Sequence, residues 1–202
     1  MFRCWASVIL ALIVTATYVT SLPGSYAIQR RASKCNGYQD LCNRKYSNVT
    51  HIGAHDSFAV GKLGSLGSNQ EANVTVQLED GIRLLQIQTH ASSGHQDSNP
   101  SGLSLCHTSC ALKNGGTLES YLRQVKQFLN QNKNEVVTLV ITNPDNKPVS
   151  NFAKAFENTG LNSMAYRANS NSISKNDWPT LQDLISQNQR VVAFLDYKAD
   201  VN

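Results

Sequence analysis

The chain contains two nearly continuous runs of apolar and β-branched residues, EVVTLVIT at 135–142 and RVVAFLD at 190–196. Such runs are typical of strands that are covered on both faces, as in parallel sheets. Residues 117–132 have apolar side chains at helical spacing, and residues 149–160 predict a shorter helix between the two runs. Strands that alternate with helices predict a parallel α/β sheet, and these patterns leave open whether it closes into a barrel.

Three further strands are predicted in the first half of the chain. Residues 49–54 predict the first, residues 82–89 predict a strand with mixed faces, and residues 102–107 predict a short strand that follows a polar loop. A last helix is predicted at 178–185, before the second apolar run. The three strands of the first half and the two apolar runs give five strand candidates in total.

The N-terminus has the pattern of a signal peptide. Arg3 precedes the apolar run VILALIVTATYV, and the SYA that ends at Ala27 suits a signal peptidase. We therefore predict a signal peptide at 1–27, a trimmed propeptide or linker at 28–34, and one folded domain at 35–202. The apolar run is short and contains threonines, so the mature chain is expected to have no transmembrane segment, with a permanent membrane anchor as the alternative. The predicted location is extracellular.

Four cysteines follow the predicted signal peptide: Cys35, Cys42, Cys106 and Cys110. An even number of cysteines in an oxidising compartment favours disulfides over metal binding. Three pairings are possible, and we expect the two local ones because each closes a small loop. Two sequons predict N-glycosylation in the same compartment, at Asn48 and at Asn73.

The charge of the chain argues against a nucleic-acid partner. The formal net charge is +4, and the N-terminal region contributes Arg3, Arg30, Arg31 and Lys34 to it. The remainder of the chain is close to neutral, and no basic stripe is interleaved with aromatic residues.

All five histidines lie between His51 and His107. His55 follows the first predicted strand, and His107 ends the short strand at 102–107. The carboxyl ends of strands form the active face of parallel α/β folds, and imidazole titrates near neutral pH, so these two histidines could serve as general base and general acid. Simple hydrogen-bonding histidines are the alternative. Zinc is a further alternative, but no tight ligand spacing is present, so we predict no metal and no cofactor.

Five sequence blocks occur in a fixed order: THIGAHDSFA, GIRLLQIQTH, LCHTSC, TLESYLRQVKQFLNQNKNEVVTLVITN and WPTLQDLISQNQRVVAFLDY. Together they resemble the phosphatidylinositol-specific phospholipase C X-domain superfamily, the PLC-like phosphodiesterases, and within it the secreted fungal-type branch. The resemblance extends from about Cys35 to Asn202. It implies a distorted TIM-type (β/α) barrel that cleaves a phosphodiester by transfer to a neighbouring hydroxyl. The implied partner is a phosphodiester substrate, such as an inositol phospholipid at a membrane surface.

The resemblance also implies roles for three residues. By position, His55 matches the general base, His107 matches the general acid, and Asp56 matches the carboxylate that supports the acid histidine. One imidazole would take the proton of the attacking hydroxyl, and the other would protonate the leaving alkoxide. Assistance of this kind contributes roughly two to four orders of magnitude in rate.

The chain departs from the family pattern at Gln86 and Gln88. The bacterial enzymes have Asp-Ile-Arg here, and the calcium-dependent enzymes have Glu-x-Asp. A calcium site needs carboxylates, so we expect metal-independent chemistry, with substrate binding by Gln86, Gln88 and His90. Arg83 lies an odd number of residues from Gln88, and we predict that it points to the outer face.

A complete TIM barrel needs more than five strands, so we expect an α/β barrel that is incomplete at its C-terminus. The leading hypothesis is a secreted, metal-independent phosphoric diester hydrolase. The alternative is a catalytically weak or inactive secreted barrel that binds a lipid head group or a cell-surface glycan. A purely structural cell-wall protein is a third hypothesis, and it depends only on secretion and the sequons.

Overall fold

The computed structural model describes residues 32–62, 64–92, 99–170 and 172–199. The predicted signal peptide and residues 28–31 of the predicted propeptide lie outside these ranges. Within them, no helix combines the length and the apolar character that a membrane span requires.

The described residues form six strands and four α-helices. The strands are β1 Gly53–Ala54, β2 Leu84–Ala91, β3 Leu103–Cys106, β4 Asn114–Thr117, β5 Val137–Thr142 and β6 Val191–Leu195. The helices are α1 Val74–Glu79, α2 Leu118–Gln131, α3 Val149–Thr159 and α4 Leu181–Ser186.

Four of the strands form a parallel sheet in the order β1, β2, β5, β6. A helix follows each of β1, β2 and β5 before the chain enters the next parallel strand. The two apolar runs therefore form neighbouring parallel strands, as predicted. Over the described residues, β1 and β6 do not pair, so the sheet is an open arc and not a closed barrel.

The strand predicted at 102–107 is not part of the parallel sheet. β3 runs antiparallel to the C-terminal half of β2, where Leu105 pairs with Thr89, and β4 pairs antiparallel with β3. The sequence pattern does not predict β4, because NGGT contains two glycines and no apolar residue. All five predicted strands are present, but only four of them belong to the parallel sheet, and the strand predicted at 102–107 forms an antiparallel hairpin with β4.

The main hydrophobic core lies between the parallel sheet and the helices. On β2, the buried residues Leu85, Ile87 and Thr89 alternate with half-buried residues. Successive side chains of a strand point to opposite faces, and Leu85 and Ile87 belong to the core that α2 covers. Gln86 and Gln88 therefore lie together on the other, inner face of the sheet.

Arg83 precedes β2 and contacts the helical layer. Its Nε donates a hydrogen bond to Glu135 at 2.8 Å, and its guanidinium carbon lies 5.0 Å from the ring centroid of Phe128 on α2. The predicted outward orientation of Arg83 is confirmed. The positive charge of Arg83 therefore lies among the helices, on the opposite face of the sheet from Gln86 and Gln88.

Both expected local disulfides are present. Cys35 bonds to Cys42 near the N-terminus of the described chain, and Cys106 bonds to Cys110 directly after β3. The second bridge closes a short turn that contains His107.

Both predicted glycosylation sites are exposed. Asn48 lies in a short 3₁₀ segment, and Asn73 is the N-cap of α1, where its Oδ1 accepts a hydrogen bond from the backbone N–H of Val76 at 3.1 Å. The bond uses only the Oδ1 of Asn73, so the Nδ2 atom, which carries the glycan in N-glycosylation, takes no part in it. Glycosylation at Asn48 and Asn73 stays a prediction.

Candidate active site

The backbone topology brings the ends of two strands together on one edge of β2. β1 runs parallel to β2 and ends beside Leu85, whereas β3 runs in the opposite direction and reaches Cys106 after pairing with Thr89. The two strands thus approach each other along the same edge. The residues that follow them, His55 and His107, meet where Gln86 and Gln88 project from β2.

The Asp56 carboxylate lies between the two imidazoles. Its Oδ2 is 3.2 Å from the Nε2 of His55 and 3.4 Å from the Nε2 of His107. The side chain of His55 is 71% exposed, that of His107 is 25% exposed, and that of Asp56 is only 4% exposed. The structure therefore brings the three predicted residues into one cluster. The sequence analysis assigned this carboxylate to His107 alone, so its contact with His55 was not predicted.

The loop after β1 orients two members of this cluster. The Nδ1 of His107 lies 2.9 Å from the carbonyl oxygen of Gly67, and the Nδ2 of Asn69 donates to Asp56 Oδ2 at 3.4 Å. A carbonyl oxygen can only accept, so the Nδ1 of His107 carries a proton. The segment 64–70 thus fixes both the ring of His107 and the carboxylate of Asp56.

Two residues beside the histidines have a left-handed backbone, which is uncommon for residues other than glycine. Their φ values are 41° at Asp56 and 63° at Thr108. The backbone N–H of Asp56 donates to Gln86 Oε1 at 2.7 Å, and that of Thr108 donates to Gln88 Oε1 at 2.6 Å. Strained backbone of this kind persists where the surroundings over-determine it, often at functional sites. The two glutamines that we expect to bind substrate therefore also hold the backbone next to each histidine.

Ser57 anchors the same segment to the helices. Its N–H donates to the carbonyl of Gln86 at 3.0 Å, its carbonyl accepts from Gln77 Nε2 at 2.9 Å, and its Oγ shares a hydrogen bond with the hydroxyl of Tyr121. Gln77 lies on α1 and Tyr121 on α2, so both outer helices hold the residue next to Asp56. Burial raises the pKa of Tyr121, which keeps its hydroxyl neutral.

We expect Tyr121→Phe to lower the free energy of unfolding by about 1 kcal/mol, because it removes one buried hydrogen-bond partner of Ser57 and keeps the ring. Urea denaturation followed by fluorescence measures the change. Tyr38→Phe is the matched control, since Tyr38 is 70% exposed. Equal stability of the two variants would mean that the contact between Ser57 and Tyr121 contributes nothing.

His90 lies outside the cluster around Asp56. Its Nδ1 is 3.0 Å from Asp145 Oδ1, and the second carboxylate oxygen accepts from the N–H of Ala91 at 2.7 Å. The hydrogen bond from Ala91, and then the neighbouring His90, hold the pKa of Asp145 below its usual value. His90 is thereby tied to the loop after β5, and its role in substrate binding stays a prediction.

The donor set at the end of β2 does not fit a calcium ion. Calcium sites consist of several oxygen ligands that include carboxylates, whereas β2 presents the amides of Gln86 and Gln88, whose oxygens are already bonded to backbone N–H groups. Throughout the ranges that the structure describes, no group of three or more His, Cys, Asp or Glu side chains is arranged to hold a metal ion.

Comparison with known sequences identifies relatives over most of the chain. The family model PI-PLC X 1 matches residues 41–202. A protein of Arthroderma benhamiae named PI-PLC X domain-containing protein 1 is 41% identical over 194 residues, which are 95% of this chain and 59% of that protein. Another protein of this fungus, named uncharacterized secreted protein, is 44% identical over 166 residues, which are 82% of this chain and 36% of that protein. The chain thus spans less than two thirds of either relative.

Solved structures identify the fold. The phosphatidylinositol-specific phospholipase C from Listeria monocytogenes superposes with a TM-score of 0.58 at 19% sequence identity, and the match covers 80% of this chain and 57% of that chain. At this level of identity the likeness establishes the architecture alone. The predicted TIM-type α/β barrel, incomplete over the described residues, is confirmed.

Proposed function

The chain belongs to the PI-PLC X-domain family, and from this premise we propose that it is a secreted phosphoric diester hydrolase that resembles phosphatidylinositol-specific phospholipase C. The observation that supports the proposal most is the cluster of His55, Asp56 and His107, in which one carboxylate oxygen contacts both imidazoles. Two imidazoles at one site provide a base and an acid for the same reaction.

The contacts of each imidazole support different roles for the two histidines. In His107, Nδ1 lies 2.9 Å from the carbonyl oxygen of Gly67 and Nε2 lies 3.4 Å from Asp56 Oδ2, so both ring nitrogens lie beside acceptor atoms. His107 is therefore suited to donate a proton. His55 faces Asp56 with Nε2 alone, so a neutral ring that keeps its proton on Nε2 has a free lone pair on Nδ1. His55 is therefore suited to accept one.

The reaction then proceeds as an internal transfer. His55 takes the proton of a hydroxyl that neighbours the phosphodiester, and the hydroxyl oxygen forms a new bond to phosphorus. The bond between phosphorus and the leaving oxygen breaks, and His107 gives a proton to that oxygen. The products are a cyclic phosphodiester and an alcohol, with His55 protonated and His107 neutral. Asp56 stabilises the charge that develops on His55.

The proposed substrate is an inositol phospholipid at a membrane surface, and the proposed chemistry is independent of metal ions. The first point relies on the name of the Listeria enzyme, and the second on the absence of carboxylates at Gln86 and Gln88. Extracellular action agrees with the name of the secreted relative and with the two disulfides. We retain the proposed boundaries of the signal peptide at 1–27, the propeptide or linker at 28–34 and the catalytic domain at 35–202.

A second candidate function is binding without turnover. It is favoured by the neutral glutamines at 86 and 88, because a phosphoryl transition state gathers negative charge that enzymes usually meet with cationic side chains or metal ions. In that case the barrel would hold a lipid head group or a cell-surface glycan.

Phosphorus NMR distinguishes these functions. We expect the folded protein, prepared without its signal peptide, to produce a cyclic inositol phosphate from phosphatidylinositol vesicles in excess EDTA. The product is detected as a new phosphorus resonance. Turnover that appears only after calcium is added would overturn the metal-independent mechanism. An unchanged diester signal under both conditions, together with co-sedimentation of the protein with the vesicles, would support the binding function instead.

A further inference from the structure

The loop after β1 and the β3–β4 hairpin are packed tightly against each other beside the candidate site. A Cβ atom at Gly115 on β4 would lie 2.4 Å from the Cδ2, 3.2 Å from the Cγ and 3.3 Å from the Cβ of Phe58, whereas ordinary contacts are 3.4–4 Å long. Phe58 is only 6% exposed, so its ring has little room to move away. The hairpin therefore approaches Phe58 more closely than a residue with a side chain at this position would allow.

Both partners of this contact lie close in sequence to the residues of the candidate site. Phe58 is two residues after Asp56, in the same loop. Gly115 is two residues after Lys113, whose carbonyl accepts the N–H of His107 at 3.1 Å, and β4 pairs with β3, the strand that ends directly before His107. A change in the separation of Phe58 and Gly115 would therefore be transmitted to Asp56 on one side and to His107 on the other.

A second close approach occurs between the same two segments. The carbonyl oxygen of Gly67 lies 2.9 Å from the Nδ1 of His107, and a Cβ at Gly67 would lie 3.0 Å from the Cβ of Lys113 and 3.2 Å from the Cγ of Leu112. The ammonium group of Lys113 donates a hydrogen bond to the carbonyl oxygen of Val60 in the loop. Several contacts thus hold the hairpin against the loop, and the glycines set how closely the two segments approach.

We infer that Gly115 is a positioning residue: the absence of a side chain there lets the hairpin come close enough for the Nε2 of His107 to reach Asp56 Oδ2. These two atoms are 3.4 Å apart, which is already longer than most N–H···O hydrogen bonds, so further separation would break the contact. A methyl group on residue 115 would move the two segments apart by about 1 Å, and a misplacement of that size costs about 10²-fold in rate. The inference rests on the proposed function for the reaction that His107 serves.

Gly115→Ala tests the inference. Gly115 is not among the residues with positive φ, so alanine adds a methyl group there without backbone strain. We expect kcat for phosphatidylinositol to fall about 10- to 100-fold with KM unchanged, because the acid acts on the leaving oxygen in the transition state. We also expect the ring signals of His107 in ¹H–¹⁵N spectra to shift, whereas those of His51, which packs against Tyr46, should not.

Gly116→Ala is the matched control on the same strand. Gly116 has a φ of 91°, so alanine is strained there, but its Cβ would contact the Oγ of Ser120 at 3.2 Å and not Phe58. This variant should lower the melting temperature and keep the kcat of the wild type. A loss of kcat in Gly116→Ala as large as that in Gly115→Ala would mean that any weakening of the hairpin has this effect, and it would overturn the specific role of Gly115.

The substitution Phe58→Leu provides a rescue experiment, because it replaces the rigid ring with a smaller and more flexible side chain. Residues in contact have non-additive effects, so Gly115→Ala should lower kcat much less in the Phe58→Leu background than in the wild type. An equal loss in the two backgrounds would overturn the inference. If Gly115→Ala alone does not fold, a folded double variant would assign the clash to Phe58 and support the inference, and an unfolded double variant would overturn it.

The ring signals separate this inference from the proposed function. Signals of His107 that shift in Gly115→Ala, in a protein that does not cleave phosphatidylinositol, would support the positioning of His107 by Gly115 while overturning the hydrolase proposal. Turnover in the wild type, together with ring signals and kcat that Gly115→Ala leaves unchanged, would support the hydrolase proposal and overturn the role of Gly115.

Discussion

Alanine in place of His107 is expected to lower phosphodiester turnover by at least about 10³-fold, because the leaving oxygen then departs without a proton donor. The same loss is expected for His55→Ala, which removes the base. The side chain of His55 is 71% exposed, so this substitution should change the melting temperature by no more than about 2 °C. Initial rates of cyclic phosphate formation and a thermal melt measure the two effects.

His51→Ala is the control for both variants. His51 lies just before β1, but its ring packs against Tyr46 at 4.7 Å between centroids and its Nε2 contacts the carbonyl of Tyr46, so it has no part in the cluster around Asp56. It should therefore retain turnover even if it loses some stability. Turnover that survives both His55→Ala and His107→Ala would remove these histidines from the mechanism.

The second large effect is expected for Asp56→Asn, which should lower turnover by about 10²- to 10⁴-fold with little change in shape. Asp56 Oδ2 is the one acceptor that both Nε2 atoms face, at 3.2 and 3.4 Å. A neutral amide cannot stabilise the positive charge that His55 gains. Its NH₂ group is also a donor, so it cannot accept a hydrogen bond from an imidazole N–H. Steady-state kinetics across pH 5 to 8 measure the loss and any change in the protonation of the two rings.

Asp177→Asn provides the comparison, because Asp177 is exposed and the structure gives it only a backbone hydrogen bond within its own turn. It should leave kcat unchanged. Wild-type turnover in Asp56→Asn would mean that the two histidines act independently, and the shared carboxylate would then be a structural contact only.

The sequence predicts those features that depend on local patterns. Helical spacing predicts α2, whose N-cap is Thr117, where the Oγ1 accepts from Ser120 N at 3.1 Å. Two apolar runs predict β5 and β6, because strands covered on both faces lack polar alternation. The ordered motifs locate His55, Asp56 and His107, whose side chains come together in the structure.

The features that the sequence does not predict depend on pairing between distant segments. The bond between Ser57 and Tyr121 joins residues 64 positions apart, and Tyr121 belongs to an apolar helical pattern that gives no sign of a polar contact. The antiparallel direction of β3 is also invisible locally, because a short apolar strand has the same pattern in either direction. The orientation of the amide of Gln88 is set by the N–H of Thr108, which comes close only after the hairpin has formed.

The β3–β4 hairpin gives the candidate site a composite origin. His55 follows a strand of the parallel sheet, whereas His107 follows a strand that lies outside the parallel order and is closed by its own disulfide. β1 pairs with the first part of β2 and β3 with its last part, so the half of the site that holds the base and the half that holds the acid are attached to different parts of one strand. The two halves meet at several contacts, among them Asp56 with His107, Gly67 with His107, and Gln88 with Thr108.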